Sequence, residues 1–343
     1  MNRRDKRYEN LTRKELARIV RELNRIYRNA ISEISITAAN VRFDGKVFDL
    51  SKYPQLRNKI DAVIRQMQPR ILTLVRNGVS SMWDLSNQKN DELVDSVLRV
   101  RNIPKSLLRE LYDPNRRALA SFQNRREKGL NLSDRVWKSL DPFRKELEGA
   151  LGFTIRDGKS AAETAREVRK YLNEPDKLFR RVRSEEGKLV LSKAARSYNP
   201  GQGVYRSSYK NAVRLTRTEN NMAFRTADFT RWQSLPFVIG IDVRLSAAHP
   251  RYDICDQLAG RYPKDFLFRG WHAQCICNAV PVLASQEEIE KMEDAILNGE
   301  DPAQVPGVND TPASFKQWNQ ENAERVKGWK SKPYFMTDNA KYL

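Results

Sequence analysis

Residues 237–283 read FVIGIDVRLSAAHPRYDICDQLAGRYPKDFLFRGWHAQCICNAVPVL, and the class of the fold turns on how this stretch is parsed. Phe237–Leu245 is rich in β-branched residues and predicts a strand. Val280–Leu283 predicts a second strand, and the Phe-Leu-Phe run at 266–268 a short one between them. Just upstream, the pattern predicts a helix from about Tyr209 to Gln233. A long helix feeding a few short strands describes a small α+β domain. The chain before it is patterned as helix. The expected class is therefore α+β, predominantly α-helical: long N-terminal helices followed by a small C-terminal α+β domain with a Cys/His cluster.

That cluster is the chemistry-bearing feature. The chain has two histidines and three cysteines, and all five fall in this stretch: His249, Cys255, His272, Cys275 and Cys277. Thiolate and imidazole are the ligands that zinc prefers, in tetrahedral sets of four. Cys275-x-Cys277 offers two thiolates on one knuckle, with His272 three residues earlier, while His249 and Cys255 lie on an earlier loop. One ion joining the two loops would stabilise a domain too small to hold itself, and with four protein ligands it would be structural zinc. The three cysteines with one histidine make the simplest set; the spacing does not say which histidine.

Other readings stay open at this point. The cysteines can be small buried hydrophobes and the histidines hydrogen-bonded core residues. His249 or His272 could activate Cys255 as a nucleophile, or Glu219, Asp253 and Asp256 could hold a catalytic metal. No complete catalytic motif is present, whether HExxH, a zinc-deaminase signature, a P-loop or GxSxG.

Moving towards the N terminus, Leu16, Ile19, Leu23, Ile26, Ala30 and Ile34 recur at helical spacing behind a Thr12/Glu15 capping box. A polar interruption around Asp44-Gly45 predicts a loop or hairpin. Leu56, Ile60, Val63, Met67, Ile71 and Leu74 predict a second long helix, which Pro69 should kink or split. Shorter stripes follow: Leu107 and Leu111; Val136, Leu140, Phe143, Leu147 and Leu151; and Ala161, Ala165, Val168 and Leu172 behind a Ser160/Glu163 box. Towards the C terminus, Ser285/Glu288 predicts another capped helix, and 300–343 a loop-rich tail with one helical piece near Phe315–Trp329. The segments are thus 1–130 (helical), 131–206 (helical, with a basic connector), 207–284 (α+β, with the cluster) and 285–343 (helix and tail).

The connector carries Lys177, Arg180, Arg181, Arg183, Lys188, Lys193, Arg196 and Arg206, interleaved with Phe179, Tyr198 and Tyr205, around an expected hairpin at Glu186-Gly187. Cations interleaved with aromatics suit a nucleic-acid surface, and equally a solvated basic face. The whole chain leans the same way. Lys and Arg outnumber Asp and Glu by 62 to 43, for a net charge of +19. So basic a chain sits on a polyanion or repels itself, with nucleic acid the first candidate and a membrane surface the second.

Its 343 residues exceed one ordinary core and suggest two or three domains. With 40% hydrophobic and 31% charged residues, the mean hydropathy is −0.70, a balance that suits exposed amphipathic helices. No apolar run reaches the roughly 18 residues of a membrane span. The start, MNRRDKRYENLTRKEL, lacks the apolar segment of a secretory signal. The expected location is a cytosol or a particle assembled there.

These motifs together resemble the phage head-morphogenesis family that includes the F protein of phage Mu. The family's C-terminal domain opens on a helix with an Arg-Thr-Glu signature, here Arg217-Thr218-Glu219. A strand follows, then a ligand loop closing on glycine, here His249 to Gly260. A His-Pro-x-Cys-x-Cys knuckle before a Val-Pro strand ends the signature, here HAQCICNAVPVL with Ala273 in place of the proline. The first loop carries His249 and Cys255 where many members have a close Cys pair. The strong motifs cover about 207–283. Looser similarity to minor head proteins of phages and prophages of Bacteroides-type hosts extends from about 130 onward.

The resemblance implies a low-copy structural component of the virion, at the portal vertex of the capsid, formed in the host cytoplasm. It would act in head morphogenesis and DNA packaging or ejection. The N-terminal helices would dock on phage portal protein or major capsid protein, and the basic surface would face phage double-stranded DNA without sequence preference. The alternative is a phage-encoded nuclease or toxin-like enzyme.

Overall fold

The structure is a computed structural model, and it describes residues 3–42, 48–98, 109–174, 181–183, 186, 189–191, 204–329 and 331–343. The predominantly helical α+β class expected from the sequence is what the chain adopts. The helices are α1 (Arg3–Ala39), α2 (Pro54–Val97), α3 (Arg116–Asn124), α4 (Leu132–Leu140), α5 (Phe143–Arg156), α6 (Ala161–Asn173), α7 (Ser208–Ser234), α8 (Ile254–Gln257), α9 (Gln286–Leu297), α10 (Ala313–Lys327) and α11 (Tyr334–Asp338). None of them is long and apolar enough to cross a membrane.

Two compact units are built from interleaved pieces: one from residues 1–16, 77–123 and 217–343, the other from 17–76 and 124–216. The four segments read along the sequence give the order of elements; the units combine pieces distant in that order, because long helices contribute to both.

The second unit rests on aliphatic stripes. Ile19, Leu23, Ile26 and Ile34 of α1 are buried, as are Leu56, Ile60, Val63, Met67 and Ile71 of α2. Val136, Leu140, Phe143, Leu147 and Leu151 supply the faces of α4 and α5, and Ala165, Val168 and Leu172 that of α6. Tyr27 meets Phe143 and Tyr209 edge-on, with ring centroids 5.4 and 5.3 Å away. The Ser160/Glu163 capping box forms as expected. At the start of α4 the cap is Asn131, boxed with Asp134.

Of two N-terminal expectations, one fails and the other fails as regards a split. Thr12 and Glu15 do not start a helix: α1 already runs from Arg3, and the Thr12 hydroxyl donates back to the carbonyl of Glu9 at 2.9 Å. Pro69 does not split α2, which continues through it. Its ring lies on the exposed side, while Met67 and Ile71 keep the stripe buried on the other.

The first unit holds the sheet. Strand β3 (Val238–Arg244) is central, antiparallel to β4 (Gly260–Tyr262) and β5 (Asn278–Leu283); in the other unit, β1 (Arg181–Arg183) and β2 (Leu189–Leu191) form a two-stranded hairpin. The hairpin expected near Glu186 is this one. The expected Phe-Leu-Phe strand is not. The third strand is Gly260–Tyr262, and Phe266 and Phe268 sit buried in irregular chain. Their burial follows from an aromatic core rather than from ladder pairing: Tyr262, Trp271 and Phe315 surround Phe266 at centroid distances of 4.3, 6.1 and 5.6 Å.

The tail is part of this core. Phe315 and Trp318 of α10 and Phe335 of α11 are buried with Trp271. The Asn339 side chain pairs with both backbone groups of Leu267, and Arg269 with Asp338. The segment before β5 is therefore fixed from the C-terminal side. On the opposite side, Asp228 of α7 is sealed against the second half of α2, accepting hydrogen bonds from Ser86 and Asn90 at 2.7 and 2.8 Å and pairing with Lys89.

Candidate metal centre

Three local devices bring the five Cys and His residues together. The first is α8. Asp253 caps it, accepting from the Cys255 amide at 2.7 Å, while Asp256 accepts from the Asp253 amide at 2.8 Å. This Asp-x-x-Asp box turns Cys255 inward, to 1% exposure. The second is the turn at 272–275, closed by the Cys275 amide on the His272 carbonyl at 3.1 Å. Gln274 takes φ +62° there, a left-handed conformation uncommon outside glycine. The third is Gly270, at φ +115°, where a Cβ would lie 2.6 Å from the Arg225 guanidinium and 3.0 Å from the Cβ of Cys275. Only glycine lets the chain pass so close to both.

Helix α7 holds the knuckle from behind with one face. Thr218 accepts from the Gln274 amide at 3.1 Å, and Arg217 reaches the Gln274 side chain at 3.4 Å. Asn221 donates to the Cys275 carbonyl at 3.0 Å. Arg225, buried, donates to the carbonyls of Arg269, Cys275 and Cys277 at 2.8, 2.6 and 2.7 Å. From the tail, the Tyr334 hydroxyl donates to the His272 carbonyl at 2.6 Å.

The ligand atoms form overlapping sets. His249, Cys255 and Cys277 have theirs within 4.8 Å of one another, and so do Cys255, His272 and Cys275. Cys255 belongs to both, with its Sγ 3.2 Å from His272 Nε2 and 3.8 Å from Cys275 Sγ. All three cysteines are free and buried. Carboxylates meet both imidazoles at Nε2: Asp256 contacts His249 at 3.0 Å, and Asp253 lies 3.7 Å from His249 and 3.4 Å from His272. The other ring nitrogen of His272, Nδ1, faces the Ala273 carbonyl at 2.8 Å, the kind of contact that orients a metal-bound histidine. His249, Asp253 and Asp256 make a third, partly exposed set.

The electrostatics fit a cation. Hydrogen bonds from the Cys255 and Cys277 thiols, and then the charge of Arg225, hold Cys275 well below the usual thiol range against the penalty of burial. Contact with Cys275 and Cys277, and then burial, pushes Cys255 up. Charge is thus concentrated on one sulfur and withheld from its neighbours, and a bound dication would let the others ionise. The Cys/His groups could hold a metal ion.

Of the other residues singled out in the sequence, Arg217 and Thr218 sit on the knuckle. Glu219 is 1% exposed and belongs to none of the three sets, so it does not join Asp253 and Asp256. Gly260 opens β4 at φ +149°. In the basic connector, Arg181 and Arg183 lie on β1 and Arg206 precedes α7, half-buried. Lys177, Arg180, Lys188, Lys193 and Arg196 lie outside the described residues.

Arg225, Asn221 and Tyr334 escaped the reading of the sequence, which had named Asp253 but not as the cap of α8. The first two stand four residues apart on the face of α7 that Thr218 begins, and that spacing was a usable signal. No family model matches the chain, and no curated protein or solved structure matches it.

Proposed function

We propose that the protein is a minor head protein of a tailed phage: a low-copy, portal-associated structural component whose C-terminal unit is stabilised by one zinc ion and whose basic surface contacts packaged DNA. The observation that carries this reading is the coupling between two motifs 55 residues or more apart, Arg217-Thr218 on α7 and the turn before Cys275-x-Cys277. They are the two halves of the pattern in which the chain resembles the head-morphogenesis family, and their contact is what supports reading that pattern as one physical unit.

For the metal, Cys255, Cys275 and Cys277 would serve with one histidine. Two thiolates about 2.3 Å from a tetrahedral zinc stand roughly 3.8 Å apart, and Cys255 and Cys275 are 3.8 Å apart. His272 is the histidine of choice, because it already touches Cys255 while His249 is engaged with Asp256. A site filled by four protein ligands has no open position, so its role is folding.

Two measurements test the reading. Elemental mass spectrometry of the protein purified under reducing conditions without chelators should find about one zinc per chain, lost in Cys275→Ser/Cys277→Ser; no metal would overturn the zinc assignment. Quantitative proteomics of particles induced from the source strain should find the chain at a few copies in DNA-filled heads. Its confinement to the soluble fraction would overturn the virion assignment.

A further inference from the structure

We propose that the cleft between α1 and α6 binds phosphates of the double-stranded DNA backbone. The proposal rests on the DNA-contact reading above and gives it a place.

The cleft has a volume of about 330 Å³. From α1 it is lined by Asn24 and Arg28, one turn apart, and from α6 by Arg166, Arg169 and Lys170, at the spacing that puts three side chains on one helix face. Tyr209 closes one end. No Asp or Glu is among the lining residues. Lys170 pairs with Glu167 on the flank at 3.1 Å, with the lysine side chain 54% exposed, a contact too solvated to neutralise the site. Among the described residues, Arg28 and Arg169 form no ion pair, and Arg166 has only the exposed Glu163 near it on its own helix. Four cations whose nearest carboxylates are solvated and outside the cleft repel one another, and a bound polyanion relieves that repulsion.

Neutral donors complete the set. Asn24 donates to the Tyr209 hydroxyl at 3.0 Å, which leaves the Tyr209 proton for an acceptor in the cleft. Beneath, Tyr27 is 2% exposed, and its hydroxyl lacks a hydrogen bond of good geometry; the neighbouring Ser208 hydroxyl is directed to Glu146. The occupant's class follows from exposure. Arg28, Arg166 and Lys170 are solvent-exposed and Arg169 half-buried. Small-molecule sites are mostly apolar and enclose their ligand, whereas phosphate contacts along a duplex are made by exposed Arg and Lys in series.

The test is fluorescence anisotropy of the full chain with labelled duplex DNA of arbitrary sequence over a salt series. Each phosphate neutralised contributes about −0.9 to the slope of log K against log salt. The variant Arg28→Gln/Arg166→Gln/Arg169→Gln/Lys170→Gln is expected to lose roughly 3.6 of that slope, with an unchanged thermal transition. Replacing the three arginines by lysine should preserve the slope. Should the glutamine variant not fold, Arg28→Gln and Arg166→Gln singly decide the matter, each expected to lose about 0.9. A steep wild-type slope that survives in the variants overturns the cleft and leaves DNA contact by other residues standing. A wild type that does not bind, or binds without salt dependence, overturns both.

Discussion

The two units of this protein are held together by different means. The unit of residues 17–76 and 124–216 rests on repeated aliphatic faces, such as Ile19–Leu23–Ile26 and Val136–Leu140. Its helices follow from local periodicity, and each stripe carries its share of the core in a predictable direction. The unit of residues 1–16, 77–123 and 217–343 has a three-stranded sheet and long irregular loops. It is held by side chains meeting across large sequence separations: the Tyr262–Phe266–Trp271–Phe315 rings, the sealed Asp228–Lys89 pair, and the Cys/His centre. Stripes tolerate the loss of one member. A unit built on a few long-range cross-links does not.

The largest expected effect comes from the zinc site proposed above. Structural zinc in small domains contributes on the order of 10 kcal/mol of apparent binding free energy, so Cys275→Ser/Cys277→Ser, or chelation, should abolish amide-exchange protection in β3–β5 while α4–α6 remain protected. Equal loss in both units, or loss in neither, would break the comparison.

Next comes Asp228→Ala. It leaves Lys89, whose side chain is 8% exposed, without its carboxylate. Removing one member of a buried pair costs about 3–5 kcal/mol, measurable as a drop in the urea midpoint. Replacing both, as Lys89→Met/Asp228→Leu, should recover part of that loss. No recovery would place the energy in the Ser86 and Asn90 hydrogen bonds instead.

The smallest effect is common to both units. Ser160→Ala at α6 and Ser285→Ala at α9 should each cost about 1 kcal/mol. The Ser hydroxyl first, and then the Ser backbone amide, hold Glu163 and Glu288 below their ordinary value of 4.5. A carboxylate depressed in the folded state gives stability that is present above its ordinary pKa and lost as pH falls through the lower folded one. Urea melts between pH 3 and 7 should show that acid loss in the wild type and less of it in each variant. A cap is local, so the two helices should respond alike; unlike responses would show that the units differ even at the level of single turns.

What was legible in the sequence follows the same division. The stripes of α1, α2 and α6, the two Ser-x-x-Glu caps, the ends of α7, the β3 and β5 strands and the crowding of Cys and His depend on neighbours within a few residues, and each is as expected; the 136–151 stripe is divided between α4 and α5, and Leu107 lies outside the described residues. The misplaced features depend on distant partners. Phe266 and Phe268 resemble a strand because aromatic runs favour strands, but Trp271 and Phe315 bury them without a ladder. Pro69 resembles a helix break because its ring removes one hydrogen bond, but the aliphatic faces on either side outweigh it. The tail resembles loop because its anchoring groups, Asn339, Asp338 and Tyr334, act on residues about 62 to 72 positions away.

At the Cys/His cluster the amino-acid sequence supplied the candidates, two histidines and three cysteines crowded into 249–277, without saying which of them would ligate. Their geometry belongs to the tertiary structure. Cys255 and Cys275 come within 3.8 Å because α8 turns one inward and α7 grips the carbonyl behind the other. The division has a physical cause. Periodicity and capping are written in neighbouring residues, whereas a coordination set depends on where separate segments stop, and that is decided by the packing of everything around them.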